Sequence, residues 1–367
     1  MKVTVNTKAF ANALKELKEI AGGQTLTGES VRFDVSQTEM DMTVHGAHGT
    51  SLIVRFPTMN LDGDEASFVV DIKKLHAVIP QLSCDSLMVV KAHSGLRIAG
   101  DGVKIELPYY DLSAFRSEKL ITDPETTVIV SADALKKSVL NTAHALAVNK
   151  SGEKTSAFFL EFVDDGVRCT ATDGYRVSVH GAEGAANCSI IVPNEAVKKI
   201  LRYLSGDVQI QKKGDAVEIS DDTTVLKVMA LSGAYFDIAK IFSGFEKRLD
   251  KKISVKKADF LNSTQLALAM LDSGDETKVL TITMENNSLT ITVKGQEGAF
   301  QQTLDADMTA AGETPASKLY RINGQYLAAA LRVLEDEDVT IHFGDIRDPF
   351  IIKEGSNIEL LLLNINK

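Results

Sequence analysis

Cysteine is scarce in this chain and poorly placed for chemistry. Only Cys84, Cys169 and Cys188 occur in 367 residues, an odd number, far apart and with no C-x-x-C pair. That excludes a disulfide framework and a cysteine zinc site, and fits free thiols in a reducing compartment. Long apolar runs are missing too. A run such as Leu360–Leu363 is far too short to cross a bilayer, so no membrane partner is expected. Met1-Lys2-Val3-Thr4-Val5 reads straight into a strand with no apolar leader, which points to a cytoplasmic protein.

Catalytic motifs are equally thin. Gly152-Glu153-Lys154-Thr155 lacks the first glycine and the adjacent Gly-Lys that wrap phosphates in a P-loop. No G-x-S-x-G elbow occurs. His45 and His48 have a metal-like spacing, but their setting reads as a strand passing into a turn. Asp164-Asp165 and Asp221-Asp222 sit where turns place solvated aspartates. The expectation is a protein that is not an enzyme, with no cofactor and no metal. Positive charge is in deficit as well. The net charge of −10 argues against nucleic acid as a whole-molecule average, yet binding depends on where charges sit.

What is present is a faint sixfold repeat. Six times a short strand ending in Val or Ile runs into a polar start and an amphipathic helix. The openings are Val5-Asn6-Thr7, Val70-Asp71-Ile72, Val130-Ser131-Ala132, Val192-Pro193-Asn194, Val255-Lys256-Lys257 and Ile322-Asn323-Gly324, at intervals of roughly 60 to 67 residues. Five residues on stands an apolar side chain each time: Phe10, Leu75, Leu135, Val197, Phe260 and Leu327. Nine residues on stands another in five repeats, with Thr264 the exception. That separation keeps both on one helical face. Asn6, Asp71, Ser131 and Asn323 are good N-cap types, and Pro193 suits a first turn.

Alternating runs broken by turn pairs follow each helix. The third repeat is cleanest, with Asp165-Gly166 and Asp173-Gly174 between strand-like stretches, and Asp-Gly is a strong hairpin signal. Each repeat is therefore a strand, a helix and about three antiparallel strands. One such unit buries too little to stand alone, so pairs are expected, giving an α+β chain with domains at 1–122, 123–247 and 248–367. The polar stretches Arg116–Glu125 and Gly244–Lys252 read as linkers between pairs.

Three tandem domains of this kind resemble the sliding clamp, the beta subunit of the bacterial replicative DNA polymerase. The most specific piece is Ala171-Thr172-Asp173-Gly174-Tyr175-Arg176-Val177, similar to the family's A-T-D-[GS]-[HY]-R-[LV] segment, with Ser189–Pro193 a second match. The resemblance covers the whole chain. It implies three DNA-clamp domains, a head-to-tail ring dimer and a processivity factor that encircles duplex DNA.

From the resemblance also come the site residues. Thr172, Gly174, Tyr175, Arg176 and Val177, with Phe236, Lys240 and Ile241 of a loop late in domain two and Leu363, Asn364 and Ile365 of the tail, are implied as a partner-peptide pocket. The tail departs from the family's common M-P-M-R-L ending, and Phe236 stands where proline is usual. Gln24, Lys73, Lys136, Lys137, Asn149, Lys150, Lys198, Lys199 and Arg202 are implied to face DNA, so that a basic lining and an acidic exterior hold duplex without sequence preference. Lys74 and Ile105 on one face, with Met270 and Leu271 on another, are implied to form the dimer contact.

The partners implied are double-stranded DNA, the polymerase catalytic subunit, a clamp loader, and repair or translesion polymerases, with the protein nucleoid-associated during replication. The alternative is a clamp-fold scaffold that binds partner peptides without being loaded on DNA.

Overall fold

The computed structural model describes residues 1–22, 29–148, 153–164, 166–271, 277–285, 287–295, 298–310 and 319–365. The six repeats are present in order. The first comprises β1 (Lys2–Asn6), α1 (Thr7–Ile20), β2 (Ser30–Val35), β3 (Glu39–His45) and β4 (Ser51–Pro57), with a short extra strand β5 (Met59–Asp62). The second is β6 (Ala66–Asp71), α2 (Ile72–Val78), β7 (Ser86–Lys91), β8 (Leu96–Gly100) and β9 (Val103–Leu107). The third is β10 (Thr126–Ser131), α3 (Ala132–Thr142), β11 (Ala157–Val163), β12 (Gly166–Thr172) and β13 (Arg176–Gly181). The fourth is β14 (Cys188–Pro193), α4 (Asn194–Ile200), β15 (Asp207–Lys213), β16 (Ala216–Ser220) and β17 (Thr224–Met229), after which comes α5 (Ile238–Glu246). The fifth is β18 (Lys251–Lys256), α6 (Lys257–Ala269), β19 (Val279–Glu285), β20 (Ser288–Lys294) and β21 (Ala299–Ala310). The sixth is β22 (Leu319–Asn323), α7 (Gly324–Val333), β23 (Asp338–Phe343), β24 (Phe350–Glu354) and β25 (Ile358–Leu362).

The periodic apolar positions form the core. Phe10, Leu75, Leu135, Val197, Phe260 and Leu327 are at most 1% exposed, as are their partners one turn on. Thr264 is fully buried too, and its hydroxyl donates back to the Phe260 carbonyl at 2.7 Å, which satisfies it inside the helix. Side-chain caps start four of the six repeat helices: Asn6 accepts from the Ala9 amide, Asp71 from Lys74, Ser131 from Ala134 and Asn323 from Tyr326, at 3.0–3.1 Å. Each such cap is worth about 1 kcal/mol. Pro193 lies one place earlier than expected, as the cap residue before α4, where its missing amide costs nothing.

The second expected linker is a correction. Gly244–Glu246 ends α5, and only a short turn precedes β18. The reason is packing: Phe242 is buried and Phe245 and Leu249 cover an apolar cluster, so the segment folds onto a sheet rather than bridging through solvent. The first stretch is mostly irregular, but it is anchored, with Glu118 paired to Lys227 at 2.7 Å and accepting from Ser51 at 3.0 Å.

Contacts divide the chain into two compact units, Met1–Lys136 with Val192–Ser232 and Lys137–Ile191 with Gly233–Lys367. The first holds a five-stranded sheet, β5-β1-β7-β8-β9, and an eight-stranded sheet, β10-β15-β16-β17-β4-β3-β2-β6. The second is built on the order β14-β11-β12-β13-β25-β24-β23-β18-β21-β20-β19-β22.

Consecutive repeats exchange strands. The opening strand of one pairs with the first strand after the helix of the other: β1 with β7 and β6 with β2, β10 with β15 and β14 with β11, β18 with β23 and β22 with β19. A lone repeat would leave the opening strands β6, β10, β14 and β22 without a ladder and one side of the others open, which is the backbone reason for pairing. Sheets then continue through β4 with β17, at Ile53 opposite Val225, and through β13 with β25, at Val177 opposite Leu361. Contacts therefore cluster along sheets that run past residues 122 and 247. Two strands end without such a partner among the described residues. They are β9, at the edge of its sheet, and the Ala299–Asp305 half of β21, which pairs only with β20.

Candidate functional site

The segment after β12 is a side-chain-stapled turn rather than a two-residue hairpin. Thr172 Oγ1 accepts from the Gly174 amide and donates to the Arg176 carbonyl at 2.7 Å, and the Asp173 carboxylate accepts from the Tyr175 and Arg176 amides. Only Gly174 takes positive φ here, at +90°, whereas at Asp101-Gly102 both residues do, as a two-residue hairpin requires. Asp165 lies outside the described residues.

Tyr175 is lifted out by this turn and is 66% exposed. Arg176 points the other way. Its guanidinium pairs with Asp173 at 3.0 Å and lies 3.8 Å above the centre of the Tyr326 ring on α7, nearly buried. Burial, then the neighbouring Asp173, pushes the Tyr326 hydroxyl's pKa up. His144, after α3, is pulled down to about 4 by burial and then by the Arg176 charge, so it is neutral near pH 7.

Helix α5 supplies the next wall. Lys240 and Ile241, expected on a loop, lie on this helix, which Asp237 caps through the Lys240 amide at 3.0 Å. Apolar residues at 238, 241, 242, 245 and 249 give the helical spacing that could have revealed it. Ile238, Ile241, Phe242 and Phe245 pack on Val177, Val179, Ile351 and Leu361, so the implied pocket residues Val177 and Ile241 share one cluster. Phe236 is 42% exposed and stands edge-on to Tyr235, 5.0 Å between centres, while Tyr235 stacks on Phe159 at 4.8 Å.

The tail closes beside the turn. Leu363, past β25, donates its amide to the Tyr175 carbonyl at 3.0 Å and exposes its side chain. Asn364 is turned inward, its amide donating to the Asp348 carbonyl, and the Ile365 amide donates to the Arg321 carbonyl at 2.7 Å. Asp348 in turn pairs with Arg248. Of the implied pocket, Tyr175, Phe236, Lys240 and Leu363 are exposed, Gly174 is on the turn, and Arg176 and Asn364 are engaged inside.

The implied DNA-facing cations are mostly paired. Lys73 contacts Glu29, Arg202 contacts Glu19, Lys137 meets Glu335 at 2.7 Å and Lys136 approaches Asp133 at 3.9 Å. Lys199 donates to the Glu19 carbonyl at 3.0 Å, and Lys198 is exposed. Gln24, Asn149 and Lys150 lie outside the described residues. Among the implied dimer residues, Lys74 is exposed on α2 and Ile105 is half-buried on the edge strand β9. Met270, following α6, is 39% exposed, and Leu271 packs against the core. Among the described residues no cluster of three metal-ligating side chains occurs, and no helix is long and apolar enough to cross a membrane.

No protein-family model matches the chain. Curated beta sliding clamps match along nearly all of it. That of Rickettsia felis is 19% identical over 376 residues, covering 97% of this chain and 95% of the relative. That of Staphylococcus epidermidis is 22% identical over 395 residues, covering 100% and 99%. Among solved structures, the DNA polymerase III subunit beta from Pseudomonas aeruginosa superposes over the whole of both chains with a TM-score of 0.89 at 15% identity. The Helicobacter pylori beta clamp bound to a DNA ligase peptide does so at 0.85 and 18%. Along its full length, in sequence and in fold, the chain is similar to bacterial beta sliding clamps.

Proposed function

We propose that the protein is a DNA sliding clamp, a processivity factor that encircles duplex DNA and tethers the replicative polymerase and other partners through a peptide pocket. The observation that carries this reading is the full-length match in sequence and fold to beta sliding clamps, with no repeat missing. The division into domains at 1–122, 123–247 and 248–367 is supported by the exchange of strands within each pair of repeats.

A head-to-tail homodimer gives two of the open edges a use. Strand β9, with Ile105, and the first half of β21, beside Met270, are two of the strand edges left open among the described residues of one copy. Joining one to the other across two copies would satisfy both rows of backbone groups and close a ring. In this reading Lys73, Lys136, Lys137, Lys198, Lys199 and Arg202 face DNA. Partner segments dock at Tyr175, Val177, Phe236, Ile241 and Leu363, a role supported by the ligase peptide on the Helicobacter clamp. Binding of this kind requires no catalytic group, so the protein is not an enzyme, and ATP use belongs to a separate clamp loader. It works in the cytoplasm, at the nucleoid.

The test is retention on nicked circular plasmid, before and after linearisation, with clamp loader and ATP. Release on cutting is expected, and retention unchanged by cutting overturns topological linkage. The pairing of Lys73, Lys137 and Arg202 with carboxylates favours a second reading, a clamp-fold scaffold that binds peptides without being loaded. Strong peptide binding with no retention on the circle, using the cognate loader, selects it.

A further inference from the structure

Helix α5 has two flanks, and the proposed peptide pocket uses only one. At about 100° per residue, Ala239 and Ile241 lie roughly 160° apart around the helix, with Phe242 between them and turned to the sheet. On the Ala239 side the structure has a groove of about 420 Å³, of whose lining the clamp reading uses only Phe236.

Its floor follows from strand register. Phe159, Thr170, Val179 and Glu359 are successive neighbours across β11, β12, β13 and β25, and all four line the groove. The next row is Glu161, Arg168 and Gly181, where the glycine leaves the backbone bare. Phe236, Ile238 and Phe242 form the opposite wall. The base is thus aromatic and aliphatic, and Phe236 at its mouth is 42% exposed.

The charges around that base are unbalanced. Four carboxylates line it, from Glu161, Glu183, Asp237 and Glu359, against the single guanidinium of Arg168. Arg168 is spent on Glu161 through bonds of 3.0 and 2.9 Å, with a third to the Gly184 carbonyl. Glu359 is tied to Lys353 at 2.8 Å. Glu183 and Asp237 stand exposed at the rim, Asp237 with one oxygen engaged by the Lys240 amide.

We propose that this groove is a second docking site, for a protein segment that carries an aromatic or large aliphatic anchor next to a lysine or arginine. The apolar base takes the anchor, and the surplus carboxylates at Glu183 and Asp237 take the cation. A purely apolar ligand would leave the rim charges unanswered, and an acidic one would be repelled. The groove shares Phe236 with the proposed tail-side pocket and otherwise draws on different residues, among them Ala239, Glu183 and Glu359.

The experiment is fluorescence anisotropy on the full-length protein with a fluorescein-labelled octapeptide of alternating phenylalanine and lysine. The same peptide with glutamate for lysine is the control. Expected are saturable binding of the lysine peptide that weakens with salt, and at least tenfold weaker binding of the glutamate peptide. Ala239→Arg, on the exposed side of α5, fills the groove mouth and should abolish binding. Glu183→Lys, in an exposed turn, should weaken it about tenfold. Deleting residues 363–367 should leave it unchanged. Binding insensitive to both substitutions, no binding, or binding lost only with the tail deletion overturns the proposal. The last result would assign the peptide to the tail-side pocket and leave the clamp reading intact.

Discussion

The backbone amide of Leu363 donates to the carbonyl of Tyr175 at 3.0 Å, fastening the end of the described chain to the turn that follows β12. An exposed aromatic and an exposed leucine are thereby held side by side at the rim of the proposed pocket. Deleting residues 363–367 removes this bond and those from Asn364 and Ile365. We expect at least a tenfold loss of affinity for a labelled docking peptide of the polymerase partner, read by anisotropy, with the thermal unfolding of the rest preserved. Unchanged affinity would remove the tail from the pocket.

Arg176 shapes that turn from inside. It joins Asp173 to the Tyr326 face, and Arg176→Ala leaves the Asp173 carboxylate without its cation. The cost should be about 2–3 kcal/mol, measured by urea unfolding. Arg176→Lys restores charge but not the planar stack, and should fall between the two.

Lys198 and Lys199 are both exposed at the end of α4. Reversing both to glutamate should weaken retention on circular DNA and reduce the salt dependence of binding by about two counterions. The oligomeric state should not change. Retention equal to that of the original protein would exclude these lysines from the DNA path.

A proline at Ile105 cannot donate to a neighbouring strand, and β9 is an edge. If β9 seats a second copy, Ile105→Pro should shift the protein to monomer in analytical ultracentrifugation. Met270→Glu should act alike from the other side; Leu271 is the poorer choice because it packs into the core. An undiminished dimer with both changes would place the seam elsewhere.

Glu16 on α1 is buried, and its carboxyl, which accepts from Thr224 at 2.9 Å, is pushed up to about 7 chiefly by that burial. Between about pH 4.5 and 7 the folded form holds this proton and the unfolded form does not. Stability contributed by the neutral acid is therefore present at low pH and lost as pH rises through 7. Glu16→Gln should flatten that part of the stability profile, a change on the order of 2 kcal/mol across the window. A profile identical to the original would mean that Glu16 ionises freely in the fold.

Much of this architecture could be read from residues. Phe10 and Leu14, or Leu327 and Leu331, announce a buried helical face because helix periodicity is a local property that needs no partner to be visible. Even Thr264, the one polar residue in that series, keeps its place by bonding to Phe260. Helix α5 escaped because it stands outside the sixfold pattern, although Ile238, Ile241, Phe242 and Phe245 carry the right spacing. Arg176 was readable as a turn residue, but not as the cation above Tyr326, since 150 positions separate the two.

The sequence by itself determined the kinds of element, their sixfold order and the faces they bury, because each depends on near neighbours in the chain. Tertiary structure alone decided which strands pair. Backbone hydrogen bonds carry no side-chain label, so nothing in β4 or β13 names β17 or β25 as its neighbour. It also decided that Lys137 meets Glu335 and that Arg202 meets Glu19. A charge is felt by whatever the fold brings near, and proximity across the chain is not written in the charge itself.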